Sequence, residues 1–140
     1  MTVRLSVPSR NTIGTTLNDL IDSGSVKPNP YIEIRTGARP ASPDVPATGT
    51  ILVVLVMPSG GFGVFENGRA VIGSITADLS ILNDGIASYF RVYNRDSSPI
   101  LDGSVGLYNS GADLSFDRID FVAGGSVSLT NLAISMPLDC

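Results

Sequence analysis

The sequence predicts a single all-β domain, an antiparallel β-sandwich or jelly-roll-like fold with one short N-terminal helix. Short segments of alternating apolar and polar residues recur along the chain. Turn signals such as Asn67-Gly68 separate them about every ten residues, which is typical of sandwiches and barrels. Strands do not alternate with helices, so a parallel α/β sheet is not expected. The 140 residues fit one domain with one core.

Residues 1–8 are predicted to form an N-terminal strand or arm. Val3, Leu5 and Val7 alternate with polar residues, and Pro8 ends the pattern. An apolar strand edge that precedes the main domain can pair with a strand of a neighbouring chain. Val3, Leu5 and Val7 are therefore the first candidate interaction residues.

Residues 9–23 are predicted to be the helix. Ser9 or Asn11 is expected to cap its start, and Ser23-Gly24 to stop it. Four apolar residues recur at helical spacing and are predicted to form its buried face: Ile13, Leu17, Leu20 and Ile21. Gly14 and two threonines lower the helix propensity, so the helix must depend on packing.

Residues 25–50 are rich in proline and are predicted to hold one strand and one loop. Tyr31 to Arg35 alternates, with Ile32 and Ile34 pointing inward. Residues 38–49 are expected to form an extended surface loop, because proline lacks the N–H group that a central strand needs. Its residues Arg39, Pro40 and Pro43 are the second set of candidate interaction residues.

Residues 51–140 are predicted to supply the main strands of the sandwich. Ile51 to Met57 is a continuous apolar run typical of a strand buried on both faces. Residues 70–79 are predicted to form another strand. The chain is predicted to turn at Asp102-Gly103, between Ile100-Leu101 and the returning residues 105–108. The apolar residues that are expected to point inward switch between even and odd positions near Asp117 or Arg118, and switch again at Asn131. Such a switch predicts a break or a bulge in the strand at each place.

The clearest alternation of the chain spans residues 87–93. Phe90 and Val92 are predicted to point into the core, and Arg91 to face solvent. Tyr89, Arg91 and Tyr93 then share one face of the strand. This face is either a small binding patch or an ordinary solvated face with cross-strand pairs, and the second interpretation is favoured.

The composition argues against catalysis and against metal binding. The chain contains no histidine, so neither a Ser-His-Asp nor a Cys-His arrangement can form. Its single cysteine, Cys140, excludes a cysteine-rich zinc site and an intrachain disulfide. Asp113 and Asp117, or Asp117 and Asp120, are the nearest groups of carboxylates, and their places beside turns favour backbone bonding. No catalytic residue, metal or cofactor is predicted.

The charge distribution predicts neither nucleic-acid nor membrane binding. The formal net charge is −4 with nine Lys and Arg residues, and no basic cluster is present. The longest apolar run, Ile51 to Met57, is too short to cross a bilayer. Charged residues make up 16% of the chain, below the usual ~25%, which fits either a surface covered by other subunits or a small β domain whose surface is mostly Ser, Thr, Asn and Gly. The N-terminus lacks the apolar core of a signal peptide, so synthesis in a cytoplasm is expected.

The order of several segments resembles a family of small virion proteins encoded among head-morphogenesis genes of tailed phages. The first half carries the resemblance in the helix Asn11 to Asp22 and in the following residues 31–40, Tyr-Ile-Glu-Ile-Arg-Thr-Gly-Ala-Arg-Pro. The second half carries it in residues 90–93, 101–106, 110–114 and 122–129. The resemblance covers nearly the whole chain, and its motifs are turns and strand edges.

The resemblance implies a capsid decoration or cement protein that binds where capsid subunits meet and stiffens the head. The expected partners are the major capsid protein and further copies of this chain, in a homo-oligomer expected to be a trimer. The expected location is the virion surface, after synthesis in the cytoplasm of a bacterial host. Two alternatives remain open: a head-tail connector or tail component, and a carbohydrate-binding module that uses Tyr89, Arg91 and Tyr93.

Overall fold

The computed structural model describes residues 3–57, 61–62, 64–71, 79–127 and 133–135 of the chain. These residues form mostly strands with one helix, α1 (Val7–Ile21). The strands are β1 (Tyr31–Arg35), β2 (Ile51–Val56), β3 (Arg69–Val71), β4 (Leu79–Ser80), β5 (Gly85–Ile86), β6 (Tyr89–Tyr93), β7 (Pro99–Leu107), β8 (Leu114–Phe116), β9 (Asp120–Phe121), β10 (Ser126–Val127) and β11 (Ala133–Ser135).

The largest sheet is a curled, mixed sheet of five strands in the order β2-β1-β6-β7-β8. Its first three pairs are antiparallel, as expected from the sequence. The last pair is parallel, with Val105 opposite Leu114 and Leu107 opposite Phe116. The expectation of a purely antiparallel sheet is therefore wrong for this pair. Only six residues separate the two strands, and Ser110 packs against Gly106 so that the chain turns back within this short link.

The other strands pair two by two, all antiparallel: β4 with β10, β3 with β11, and β5 with β9. The predicted strand over residues 70–79 corresponds to the end of β3 and the start of β4, and residues 72–78 lie outside the described residues. The predicted break near Asp117 is confirmed, because β8 ends at Phe116 and β9 begins at Asp120. The predicted break at Asn131 also lies outside the described residues.

One face of the five-stranded sheet carries the core. Ile32, Ile34 and Val92 are fully buried, and Phe90 beside them is nearly so, as the alternation predicts. A single cluster of buried apolar residues joins these side chains to the helix. The consecutive residues Leu52 and Val53 of β2 are both fully buried, as predicted, but Val56 at its end is 59% exposed, so the prediction of a fully buried strand is wrong there.

The helix begins earlier than the sequence pattern predicts. Ser6 is the N-cap, and its hydroxyl accepts a hydrogen bond from the backbone N–H of Ser9. Val7 and Pro8 occupy the first turn, where the missing N–H of proline has no cost. The predicted strand over residues 3–7 is therefore wrong. The proline that was expected to end a strand instead starts a helix.

The buried face of the helix is rotated from the predicted apolar stripe. Gly14, Asn18 and Ile21 are its buried residues. Ile13 is 45% exposed and Leu20 is 52% exposed, so the prediction that they face the core is wrong. Of the four apolar residues of the predicted stripe, Ile21 alone is fully buried, and Leu17 packs against the edge of the core.

A segment we call the strap, residues 61–62 and 64–68, explains this rotation. Asn18 Oδ1 accepts a hydrogen bond from the backbone N–H of Phe62 at 2.6 Å. Two turns earlier, Asn11 Oδ1 accepts one from the N–H of Gly68 at 2.7 Å. The strap thus runs antiparallel to the helix. Its N–H groups donate to two asparagines that lie outside the predicted apolar stripe of the helix.

Gly14 lies between these two asparagines and lets the strap approach closely. The ring of Phe65 occupies the space where a Cβ atom at position 14 would stand. The predicted turn at Asn67-Gly68 is confirmed, since both residues have positive φ angles of 52° and 75°. These are values typical of a type I′ hairpin turn. The tight turn returns the chain from the strap into β3.

Candidate functional site

The proline-rich loop, residues 38–49, covers the side of the five-stranded sheet that faces away from the core. We call this side the polar face; alternate residues of β1, β6 and β7 supply its side chains. Glu33 stands opposite Arg91, and Arg91 stands opposite Asp102. Because successive side chains of a strand point to opposite faces, this charged row lies behind Phe90 and Val92.

Arg91 is the centre of the contact between loop and sheet. It is 1% exposed, so the prediction that it faces solvent is wrong. Its Nη1 donates to the carbonyl oxygen of Val45 at 2.6 Å. Its Nη2 donates to the carbonyl oxygen of Ser42 at 3.3 Å and to Asp102 Oδ2 at 3.2 Å. A guanidinium group suits this role because its donors are arranged in a planar fork.

Two further side chains of the polar face hold the end of the loop. The hydroxyl of Tyr89 donates to the carbonyl oxygen of Thr48 at 2.6 Å and accepts from the N–H of the same residue at 3.0 Å. Arg35 Nη1 donates to the carbonyl oxygen of Gly49 at 3.3 Å. Tyr89 is fully buried beneath the loop, so its predicted exposure is wrong as well.

The composition of the loop explains why it needs donors from outside. Pro40, Pro43 and Pro46 have no N–H group and cannot pair the loop with itself as a hairpin. Carbonyl groups that are covered without a hydrogen bond are costly. The sheet supplies the missing donors through two arginines and a tyrosine, which fixes an otherwise irregular segment.

The outer surface of the loop combines small, apolar and weakly charged groups. Val45 is 43% exposed although its carbonyl is bound, and Asp44 beside it is also exposed. Pro40 and Pro43 are half-buried. Arg39 is exposed and lies 3.8 Å from a carboxylate oxygen of Asp113. An ion pair this exposed contributes little stability, so Arg39 stays accessible to a partner.

An aromatic pair lies beyond Arg91 on the polar face. The rings of Tyr31 and Tyr93 stack with centroids 5.1 Å apart, and Lys27 Nζ lies 4.5 Å from the centre of the Tyr31 ring. Partial burial raises the pKa of the Tyr93 hydroxyl, and the charge of Glu33 and a hydrogen bond to it raise that pKa further. Of the three residues proposed for a sugar platform, only Tyr93 remains half-exposed.

The N-terminal candidate residues lie at the start of the helix, whereas the candidates of the proline-rich loop and of β6 lie together on the polar face. Val3 and Val7 are exposed at the start of the helix, and Leu5 between them is half-buried. Val7 is helical, so the idea of a free strand edge that spans all three residues fails.

Of the carboxylates considered for chemistry, that of Asp113 has a structural role. Asp113 accepts hydrogen bonds from the N–H and the hydroxyl of Ser104 at 2.9 Å and 3.0 Å, which closes the link between β7 and β8. Asp117 and Asp120 are exposed, and the carbonyl of Asp120 accepts from Arg118. Within the described part of the chain, no three His, Cys, Asp or Glu residues are grouped as a metal site needs. The described helix is not long and apolar enough to span a membrane.

Sequence reasoning named the loop and the Tyr89–Tyr93 strand separately but missed that they bind each other. It also missed Ser42, Val45 and Thr48, whose main-chain atoms make the contact. Asp102 was assigned to a turn, yet it lies inside β7 and pairs with Arg91. Neighbouring Gly103 packs under the ring of Phe90, which explains a glycine in mid-strand. Every residue has a main-chain carbonyl oxygen, so the type of residue at a position does not indicate that its carbonyl accepts a hydrogen bond.

No protein-family model, curated protein sequence or solved structure matches this chain. Any assignment of function therefore rests on the chain's own residues and their geometry. The feature with the clearest functional potential is the fixed and outward-facing proline-rich loop.

Proposed function

We propose that this chain is a non-enzymatic structural protein of a phage virion, a decoration or cement protein that stabilises the head by binding where capsid subunits meet. Its partners in this proposal are the major capsid protein and further copies of itself, as a trimer. It binds neither nucleic acid nor membrane, needs no cofactor, and is located on the capsid surface. A sandwich or jelly-roll arrangement of the strands belongs to the same proposal.

The presentation of the proline-rich loop is the observation that supports this proposal most. The loop's main chain is bound at Ser42, Val45, Thr48 and Gly49 by buried or half-buried side chains of the sheet. A loop held in one conformation loses little entropy when a partner binds it. Its outward side chains are therefore a preformed contact surface.

The distribution of charge supports assembly as well. Glu33 and Arg35 form an ion pair at 3.0 Å, and Arg91 and Asp102 form another at 3.2 Å, both largely covered. The chain is already poor in charge, and these pairs use part of it internally. The surface that remains is suited to burial against other subunits, because fewer ions must be dehydrated.

The deciding experiment is the copy number of this protein in purified virions, measured by quantitative mass spectrometry against the major capsid protein. A ratio comparable to that of the capsid protein is expected for a cement protein. A copy number that matches one small ring would replace the proposal by a connector or tail role. Absence from virions would overturn both structural roles.

A variant of the loop tests the binding surface itself. Val45→Asp leaves the carbonyl that Arg91 binds but places a charge on the outer side of the loop. It is expected to weaken binding to heads that lack the protein about tenfold, equal to about 1.4 kcal/mol. Val122→Asp is the matched control, because Val122 is equally apolar, 55% exposed and outside the loop. Equal binding by both variants would remove the loop from the proposal.

A further inference from the structure

The turn at the end of the strap contains two neighbouring residues that can react with each other. Asn67-Gly68 is the only place in the chain where glycine follows asparagine. The main-chain nitrogen of the second residue can attack the side-chain carbonyl carbon of the first, because a five-membered ring then closes. Glycine hinders this attack least, since it has no Cβ atom. Asparagine counts among the thermolabile residues of proteins for this reason.

The geometry of the turn holds the two reacting atoms apart. The N–H of Glu66 donates to the carbonyl oxygen of Arg69 at 2.9 Å, and the N–H of Arg69 donates to that of Glu66 at 3.0 Å. In a type I′ turn, the first central residue has a ψ angle of about +30°. This angle places the nitrogen of Gly68 almost opposite the Cβ atom of Asn67 across the Cα–C bond. The ring needs both atoms on the same side, so the turn must open before they can react.

The helix keeps this turn closed. Asn67 is exposed to solvent, but Gly68 is buried. Asn11 Oδ1 accepts a hydrogen bond from the N–H of Gly68 at 2.7 Å, and this bond holds the proton that the attacking nitrogen must lose. The guanidinium group of Arg10 occupies the space where a Cβ atom of Gly68 would stand. Docking of the strap therefore protects the pair in two ways, by fixing the turn and by covering Gly68.

We propose that Asn67-Gly68 is a self-modification site that reacts only when the strap leaves the helix. The nitrogen of Gly68 then forms a bond to Cγ of Asn67, the bond from Cγ to Nδ2 breaks, and ammonia leaves with the proton of the Gly68 N–H. Water opens the resulting cyclic imide at either carbonyl carbon, which gives aspartate or isoaspartate at position 67. Water is the only co-reactant. The proposal does not depend on the capsid role.

The two products differ in what they do to the strap. Aspartate keeps the length of the main chain and can form the same turn. Isoaspartate carries the main chain through the former side chain of position 67, which adds one carbon atom to a two-residue turn. The N–H of Gly68 is then displaced from Asn11, and the new carboxylate lies beside exposed Glu66, whose like charge repels it. Isoaspartate therefore converts a transient opening into a permanent release of the strap.

Peptide mapping by mass spectrometry, after incubation of the full chain in mildly alkaline buffer, tests the protection. The folded wild-type chain is expected to lose the amide of Asn67 at least about tenfold more slowly than the chain unfolded in guanidinium chloride, because local opening must precede the reaction. Asn11→Ala removes the acceptor for the Gly68 N–H and should accelerate the reaction in the folded chain about fivefold.

Two further variants are the controls for Asn11→Ala. Asn11→Asp keeps an oxygen acceptor for the Gly68 N–H and should react at close to the wild-type rate. Asn83→Ala removes an asparagine hydrogen bond outside the strap and should also leave the rate at Asn67 unchanged. Far-UV circular dichroism checks that each variant is folded, and the comparison of folded with unfolded wild type needs no variant at all. Equal rates in those two states would overturn the proposal, and so would an Asn11→Ala variant that reacts no faster than Asn83→Ala.

Amide hydrogen exchange tests the release of the strap. The N–H of Phe62, which is bound to Asn18 at the other end of the strap, should exchange faster in the chain that carries isoaspartate than in the unmodified chain. Asn67→Asp is the matched control, because it adds the charge without lengthening the main chain, and it should exchange at close to the wild-type rate. Unchanged exchange at Phe62 in the isoaspartate form would refute the release.

Discussion

Two segments of this protein are fastened to regular elements by entirely different means. The proline-rich loop, residues 38–49, is held by the charged Arg91 and by Tyr89, which bind its carbonyl groups. The strap, residues 61–62 and 64–68, is held by two asparagine acceptors and by a ring set into the space above Gly14. The first attachment depends on a buried charge, and the second depends on shape.

This difference predicts which kind of substitution weakens each attachment. A buried ion pair contributes modest net stability while intact, but loss of one partner leaves an uncompensated charge. The close contact between the Phe65 ring and Gly14 is instead disrupted by an added methyl group, and it does not depend on charge. We therefore expect the attachment of the loop to be weakened mainly by substitutions that remove side-chain atoms, and the attachment of the strap mainly by substitutions that add them.

The largest effect is expected from Arg91→Met. The substitution leaves Asp102 buried without its partner and removes the donors for Ser42 and Val45. We expect the free energy of unfolding to fall by about 3–5 kcal/mol, measured by urea denaturation. Adding Asp102→Leu should recover part of that loss, because the unpaired carboxylate is then gone. A double variant no more stable than Arg91→Met would show that the charge of Asp102 is not the cause.

The next largest effect is expected from Gly14→Ala. In an exposed helix this change is stabilising by about 1 kcal/mol. Here the new methyl group meets the ring of Phe65, so we expect a destabilisation of about 1–3 kcal/mol in the same denaturation assay. Thr15→Ala on the exposed side is the control and should change stability by no more than about 0.5 kcal/mol. A stabilised Gly14→Ala variant would contradict the docking of the strap.

A smaller effect is expected from Tyr89→Phe, which removes both hydrogen bonds to Thr48 but keeps the ring. We expect a loss of about 1–2 kcal/mol, together with faster amide hydrogen exchange at Thr48. Tyr108→Phe is the control, because Tyr108 is exposed and outside the loop. Unchanged exchange at Thr48 would mean that Tyr89 does not hold the loop.

The smallest effect concerns a third attachment, which is fully exposed. Asp96 accepts hydrogen bonds from the N–H groups of Ser25 and Val26, and these bonds lower its pKa. The folded state then binds fewer protons than the unfolded state, so this contribution is present above the ordinary aspartate pKa of about 3.9 and is lost as the pH falls through the lowered pKa. Asp96→Asn should lose less stability than the wild type on acidification in thermal melts. Parallel pH profiles for the two proteins would contradict the role of Asp96.

The sequence predicts the fold best where the signal is local. The strand Tyr31–Arg35 and its inward residues Ile32 and Ile34 follow from a period of two, and the structure has the same bounds. The helix is predicted to exist, but its start and its buried face are not. A strap of polar and glycine contacts outweighs the apolar periodicity, and no pattern within the helix indicates that Asn18 accepts a distant N–H.

The candidate site is predicted only in its parts. The proline-rich loop and the strand around Arg91 each stand out in the sequence, for their prolines and their alternation. Arg91 looks like a solvated residue because what covers it lies 46 residues away in the chain. Burial by a distant segment cannot be inferred from the strand that is buried.

That separation also sets an order of events during synthesis. The loop leaves the ribosome well before Arg91, and β1 must wait for β6, since the pair joins Tyr31 to Tyr93. Contacts between segments so far apart form slowly, because the intervening chain loses entropy when they close. The nascent loop can be held early at its end, where Arg35 binds Gly49, but its bonds to Arg91 and Tyr89 form only after most of the chain has been translated.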